Sequence, residues 1–172
     1  MKVRLYPGER IASVYTISYQ KLWDQGIRGI LYDIDNTLVP DNAPADSRSE
    51  ALFHQLHAIG FRTCLVSNNK EPRVLPFAEA VQSEAVCRAH KPAAAGYLEG
   101  VRRMGIHPEQ ALFIGDQIFT DIWGANNAGI RNFLVRPVDP HERLRIRLKR
   151  IPEMLILFLY ELSCKIGRNR KK

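Results

Sequence analysis

The sequence has only three cysteines, Cys64, Cys87 and Cys164, and no CxxC pair among them. An odd, scattered set of this kind offers neither a disulfide framework nor a zinc site, so reduced, mostly buried thiols are the expectation. Long apolar runs are missing as well. The N-terminus, MKVRLYPGERIASVY, breaks up its apolar residues with Lys2, Arg4, Glu9 and Arg10 and so lacks the core of a secretory signal. Near the C-terminus, in IPEMLILFLYELSCKI, the longest uncharged run is Met154 to Tyr160, far short of the roughly 20 apolar residues a spanning helix needs. A cytoplasmic protein is the expectation. There is no internal repeat and no low-complexity linker, and 172 residues with 45% apolar content suit one globular domain.

The net charge of +7 is unevenly placed. Residues 1–140 carry 15 Lys and Arg against 15 Asp and Glu, whereas residues 141–172 carry ten basic residues against Glu142, Glu153 and Glu161. We therefore read 1–140 as the core with an N-terminal lead-in, and 141–172 as a basic, apolar helical tail of the same single-domain protein. Such a tail can pack on the core, lie in lipid headgroups at the inner face of a membrane, or meet a partner, and composition leaves all three open.

The body alternates strand-like and helix-like stretches, which predicts a doubly wound, mostly parallel α/β sheet covered on both faces. Five strands are expected, at 26–34, 61–67, 84–89, 110–116 and 130–136. Helices are expected at about 46–59, 71–82, 92–104 and 119–128, with Gly60, Gly105 and Gly129 as left-handed stops and Pro92 in a first turn. In open sheets of this type, ligands gather at the carboxyl ends of the strands. There the sequence offers Asp33, Ile34, Asp35, Asn36 and Thr37, then Ser67, Asn68 and Asn69, then Gly115, Asp116 and Gln117, with Lys91 just past the third strand.

Each window alone reads equally well as a polar turn. Together they place acids, a hydroxyl and a lysine at one sheet edge. Residues i and i+2 of a strand share a side, so Asp33 and Asp35 are expected to face one pocket while Ile34 packs. Two carboxylates so close repel, and a cation or a shared proton must relieve them. Oxygen donors without nearby His or Cys favour a hard ion such as Mg2+, with Asp33 and Asp116 as its side-chain ligands. Ser67 and Lys91 suit the oxygens of a phosphoryl group.

DIDNTLV at 33–39, SNN at 67–69, HKP at 90–92 and GDQIFTD at 115–121 resemble, in order, the four motifs of haloacid dehalogenase-like phosphatases. GIRGILYDIDNTLVP, FIGDQIFTDIWGANNAG and LVRPV are more similar still to subfamily IIIA, a bacterial branch related to phosphatidylglycerophosphatases of mitochondria. The resemblance implies a Rossmann-like core, and roles for individual residues. Asp33 would be the nucleophile that becomes an aspartyl phosphate, and Asp35 the general acid and base, its backbone carbonyl also a metal ligand. Thr37 would orient the Asp35 turn through its hydroxyl. Ser67, Asn68 and Lys91 would hold the phosphate. Asp116 would bind Mg2+, with Asp121 supporting the ion through water or through Lys91.

The gaps between Thr37 and Ser67 and between Ser67 and Lys91 hold no more than a loop, a helix and a strand, so no separate cap domain is expected. Uncapped members of the resembled superfamily act on large or surface-bound phosphates, which points to a phospholipid headgroup, phosphatidylglycerophosphate, with residues 141–172 touching an anionic membrane. A soluble sugar or nucleotide phosphatase is the alternative. A non-catalytic phosphoacceptor would not need Asp35 and Thr37. A nucleic-acid or ribosome-binding protein would explain the tail, but no aromatic or glycine-rich RNA motif accompanies it.

Overall fold

The computed structural model describes residues 4–139 and 152–163. Six strands form one fully parallel sheet: β1 (Glu9–Ile11), β2 (Gly29–Tyr32), β3 (Arg62–Val66), β4 (Glu84–Val86), β5 (Ala111–Gly115) and β6 (Arg131–Val135), in the order β1-β6-β5-β2-β3-β4. The helices are α1 (Tyr19–Asp24), α2 (Ser47–Ile59), α3 (Glu71–Ala80), α4 (Ala94–Met104), α5 (Trp123–Asn127) and α6, residues 152–163.

The expected sheet had five strands, and the sixth is β1. Its three residues, Glu-Arg-Ile, carry two charges and no apolar alternation, and they pair as an edge strand with β6 alone. Two helix starts also differ. Pro92 precedes α4 by two residues, in a turn that Ala93 N–H closes on the His90 carbonyl, so it occupies no helical first turn. The stretch expected as one helix from Phe119 is a π-helical turn at Ile118–Ile122 followed by α5.

Strand periodicity decides what each face buries. Ile30 and Tyr32 of β2, Leu65 of β3 and Leu112 and Ile114 of β5 pack with Leu52, Phe53 and Leu56 of α2 and Val74 and Phe77 of α3. The alternate residues Leu31, Cys64, Val66 and Phe113 face Tyr97, Val101 and Met104 of α4 and Ala125 of α5. Both faces are covered, which is why β2 is buried at all four positions. α2 begins at a reciprocal cap in which Ser49 N–H donates to Asp46 (2.7 Å) and Asp46 N–H to the Ser49 hydroxyl (2.9 Å); it stops at Gly60, whose φ of 112° favours glycine. Cys64 is buried and free, and Cys87 is half-buried and free; Cys164 lies outside the described residues.

From β2 the chain runs outward through β3 and β4, then returns to lay β5 and β6 on the other side of β2. The reversal between β2 and β5 opens a crevice at the carboxyl ends of these two neighbours. Among the described residues, no separate cap domain stands over it. No described helix is long and apolar enough to cross a membrane. The ten basic residues of the tail all lie outside the described residues. α6 itself packs one face on the core, Ile156 and Leu157 against Ile118, Ile122 and Leu134.

Candidate active site

β2 delivers Asp33 to the crevice. The strand ends at Tyr32, but Asp33 N–H still donates to the Ile114 carbonyl of β5 (3.0 Å), which fixes the backbone of this aspartate to its neighbour. β5 delivers Asp116, and the π-turn that follows folds Asp121 back underneath. Carboxylate oxygens of Asp33, Asp116 and Asp121 lie within 4.8 Å of one another, all three residues buried.

Three buried acids need compensation, and Lys91 supplies part of it. Its Nζ donates to Asp33 Oδ1 at 2.6 Å and to Asp121 Oδ1 at 2.7 Å, with only 4% of the side chain exposed. Burial works against the Lys91 ammonium, but Asp121 and Asp33 outweigh it and hold its pKa above the ordinary lysine value. Burial raises the Asp33 carboxyl, with Asp121 pushing the same way and Lys91 opposing.

Asp121 is the mechanical centre of this group. Its Oδ2 accepts the backbone N–H groups of Asp116 (3.1 Å) and Gln117 (3.0 Å), and its Oδ1 takes Lys91. The Lys91 contact lies along one of the two routes, through water or through Lys91, by which Asp121 was expected to support an ion. The approach is close: a Cβ on Gly115 would lie 2.5 Å from Asp121 Oδ2, so only glycine fits at the end of β5. The Tyr97 hydroxyl donates to the carbonyls of Thr120 (2.8 Å) and Asp121 (3.3 Å), bracing the π-turn from α4.

The geometry adds to several expected roles. The Thr37 hydroxyl acts on the Asp35 turn from outside it. It donates to Asp116 Oδ1 (3.3 Å), tying the loop after β2 to the loop after β5. Backbone bonds close the turn itself, Thr37 and Leu38 N–H to the Ile34 carbonyl and Asn36 N–H to that of Val39. Asn68, expected at the phosphate, also ties its side chain to the Lys91 backbone: Oδ1 accepts the N–H (2.7 Å) and Nδ2 donates one of its two hydrogens to the carbonyl (3.2 Å), which leaves the other for a phosphate oxygen. Ser67 leaves β3 buried, its Oγ accepting Asn69 N–H at 3.2 Å, which still permits the hydroxyl to donate elsewhere.

The side-chain cation beside Asp33 is Lys91, not the one beside Asp35. Asp35 has its own: Arg73 of α3 donates to Oδ1 at 2.7 Å, Asn69 Nδ2 to Oδ2 at 2.6 Å, and Asn42 N–H to Oδ1 at 2.9 Å. Arg73 holds this position although its Nε is buried and, among the described residues, is the one buried side-chain polar atom without a hydrogen-bond partner. Arg73, Tyr97 and Glu153, whose Oε1 accepts Ile118 N–H at 2.8 Å, went unnoticed in the sequence. Arg73 and Tyr97 sit in the first turns of α3 and α4 with no motif around them. Glu153 sits in a tail that reads only as basic and apolar.

A doubly wound parallel sheet with a lysine-bridged acidic crevice at its switch point defines a hydrolase core built for phosphorylated ligands. The family model of haloacid dehalogenase-like hydrolases matches residues 39–129, a segment that starts just after Asp33 and Asp35. The chain is 34% identical over 158 residues to a probable phosphatase, YqeG, of Bacillus subtilis, covering 91% of this chain and 92% of that one. The chain belongs to the haloacid dehalogenase-like hydrolase family, and is an enzyme of its phosphatase type. It is also 25% identical over 146 residues to phosphatidylglycerophosphate phosphatase 1, chloroplastic/mitochondrial, of Arabidopsis thaliana, matching 79% of this chain but only 42% of that protein. Among solved structures, a HAD phosphatase from Thermococcus onnurineus superposes with a TM-score of 0.54 at 14% identity, over 68% of this chain and 89% of that one, a likeness of fold.

Proposed function

We propose that the protein is a Mg2+-dependent phosphomonoester hydrolase that works through an aspartyl phosphate, and that its substrate is phosphatidylglycerophosphate at a membrane surface. The observation that carries the chemical half is the buried Asp33, bridged by Lys91 to Asp121, with Asp116 oxygens within 4.8 Å.

The donor set suits the proposed ion, since Asp33 and Asp116 present oxygen ligands and no described histidine or cysteine joins their cluster. These two would hold it, together with the Asp35 carbonyl. When bound, a divalent ion supplies positive charge against the phosphate oxygens. The remaining steps belong to the chain. Lys91 and the Ser67 hydroxyl bind the phosphoryl oxygens. Asp33, oriented by Lys91 and by its backbone bond to β5, attacks phosphorus while the bond to the leaving oxygen breaks. Asp35 gives that oxygen a proton, then takes one from the water that cleaves the aspartyl phosphate. To do so its carboxyl must loosen from Arg73, so the Arg73 pair sets how readily Asp35 enters the reaction.

The lipid half rests on independent features. No described cap encloses the crevice, which suits a headgroup presented from outside. α6 exposes Leu155 (61%) and Phe158 (63%) on the face turned away from the core, and the tail around it carries ten basic residues. Apolar insertion flanked by Lys and Arg, each adding about 1 kcal/mol near an anionic surface, suits peripheral docking. The similarity to the Arabidopsis enzyme points to the same substrate.

A phosphate-release panel tests the reading: phosphatidylglycerophosphate against sugar, nucleotide and aryl phosphates, with and without Mg2+, beside Asp33→Asn. Release should need Mg2+, fall at least a thousandfold in the variant, and favour the lipid. Full activity of Asp33→Asn would remove the mechanism, and turnover confined to soluble esters would remove the lipid substrate.

A further inference from the structure

Between α6 and the β1–β6 edge lies a cavity of about 610 Å3 that opens beside Asp116. Its size is that of a ligand pocket and well beyond a lone phosphate. Among the described residues, five charged ones line it: Asp116, Glu153, Glu161, Arg10 and Arg136. Asp116 belongs to the reacting crevice, and Glu153 is engaged with the Ile118 N–H. Arg10 pairs with Glu161 across the cavity, with side chains 39% and 53% exposed, so water and solutes reach this bridge. Arg136 forms no ion pair among the described residues. Leu134 and Leu157 give the space between them an apolar wall.

The strand register sets the distances. Arg10 pairs laterally with Leu134, and Leu134 with Gly115, the residue before Asp116. Strands are spaced by about 4.8 Å, so the backbone of Arg10 stands roughly 10 Å from that of Gly115, and Arg136, just past β6, stands on the nearer strand. Guanidinium groups pair with phosphate and carboxylate oxygens in a fixed fork.

We infer that this cavity is a second subsite, in which Arg10 and Arg136 take a second anionic group of the substrate while the phosphomonoester reacts at Asp33. The inference rests on the phosphatase reading, but not on the lipid. It calls for a phosphomonoester whose second phosphate or phosphodiester lies on the order of 5–10 Å away along the sheet edge. A glycerol-linked lipid headgroup and a soluble bisphosphate both have this chemistry. Glu161 is the counter-ion that the incoming anion displaces from Arg10.

Steady-state kinetics of Arg10→Gln, Arg136→Gln and Glu161→Gln test this on three substrates: phosphatidylglycerophosphate in mixed micelles, a soluble glycerol bisphosphate, and an aryl phosphate with one anionic group. Each arginine variant should raise KM on the order of tenfold for a doubly anionic substrate, with kcat and aryl phosphate turnover within about twofold of the parent. Glu161→Gln should lower the same KM. A rise with both doubly anionic substrates assigns the subsite to the headgroup, and a rise with the lipid alone assigns it to the phosphodiester. Parallel losses on the aryl phosphate, or no change on any substrate, would overturn the subsite. If the wild type turned over none of the three, the phosphatase reading would fall instead. Equilibrium binding of the glycerol bisphosphate would then decide the subsite, equal affinity of wild type and Arg136→Gln overturning it.

Discussion

Lys91→Met isolates the electrostatic keystone of the crevice, because methionine keeps the length of the stem and removes only the ammonium. The wild-type Nζ contacts two buried carboxylates at 2.6 and 2.7 Å. At an effective dielectric of about 20, each contact is worth about 6 kcal/mol of Coulomb energy before desolvation of the three groups is counted. Loss of one partner from buried pairs of this kind typically costs about 3–5 kcal/mol. The Asp33 carboxyl is already raised by its burial and can take up a proton when Lys91 is gone, which limits the loss to about 2–4 kcal/mol. The assay is urea unfolding followed by circular dichroism, in chelator, on the wild type, Lys91→Met, Asp121→Asn and the double variant. The Asp121→Asn side chain would keep an oxygen for the Asp116 and Gln117 N–H groups while dropping one charge, so adding this substitution to Lys91→Met should recover about 1–2 kcal/mol. A loss below about 1 kcal/mol for Lys91→Met, or two substitutions that simply add, would refute the account of Lys91 as the cation on which both acids depend.

Arg73→Met removes the 2.7 Å partner of Asp35, a pair whose side chains are only 17% and 16% exposed. Charged hydrogen bonds of this kind contribute about 1.5–3 kcal/mol, and the orphaned Nε disappears with the arginine, so we expect a stability loss of about 1 kcal/mol. Because Asp35 must leave Arg73 to exchange a proton, we also expect a kcat higher by several-fold with KM for aryl phosphate unchanged, measured by steady-state kinetics, and an unaltered kcat would take Arg73 out of catalysis. Alkaline pH gives a separate test on the buried tyrosines around β2. Tyr32 donates its hydroxyl to Tyr19 (2.7 Å) and Tyr19 to the Val14 carbonyl (2.8 Å), and burial pushes both phenols well above the usual tyrosine range; Tyr15, nearby, is pushed up to about 12. Because these pKa values are raised in the folded chain, the native state binds more protons than the unfolded one above about pH 10. The stability they confer is whole below that pH and declines by about 1.4 kcal/mol per tyrosine for each further unit. A spectrophotometric titration should show phenolate from Tyr19 and Tyr32 only as the fold is lost, and their ionisation at about pH 10 in an intact fold would contradict the buried chain of hydroxyls.

The parts of the fold that were legible in the sequence are those set by local periodicity and by residues with one conformational use. β2, β3, β5 and β6 are short apolar runs, and Gly60 and Gly105 stop their helices in the left-handed region as expected. β1 was illegible because an edge strand of three residues has no period to detect and forms only where β6 lends it partners. The π-turn at Ile118–Ile122 was illegible for another reason. Its sequence continues smoothly into α5, and what widens it is the demand that Asp121 reach the N–H groups of Asp116 and Gln117, a tertiary requirement.

The same distinction explains how the charges of Asp33 and Asp35 are met. Alternation along a strand places i and i+2 on one side, but it holds only while the strand lasts, and β2 ends at Tyr32. Asp33 is the last residue tied to β5. Asn36 then adopts a φ of 59°, and the turn closes through Ile34 and Val39. Past the strand, Asp35 is governed by what surrounds the turn, and α3 presents Arg73 there. The repulsion between the two acids is therefore met by two cations, each from its own element: Lys91 beyond β4 and Arg73 on α3. Separate partners allow separate behaviour. Asp33 is gripped in a buried network that includes Asp121 and the end of β5, which suits a group that must hold still while it attacks. Asp35 is held by side chains at a partly exposed rim, which suits a group that must let go of one partner to exchange a proton with another.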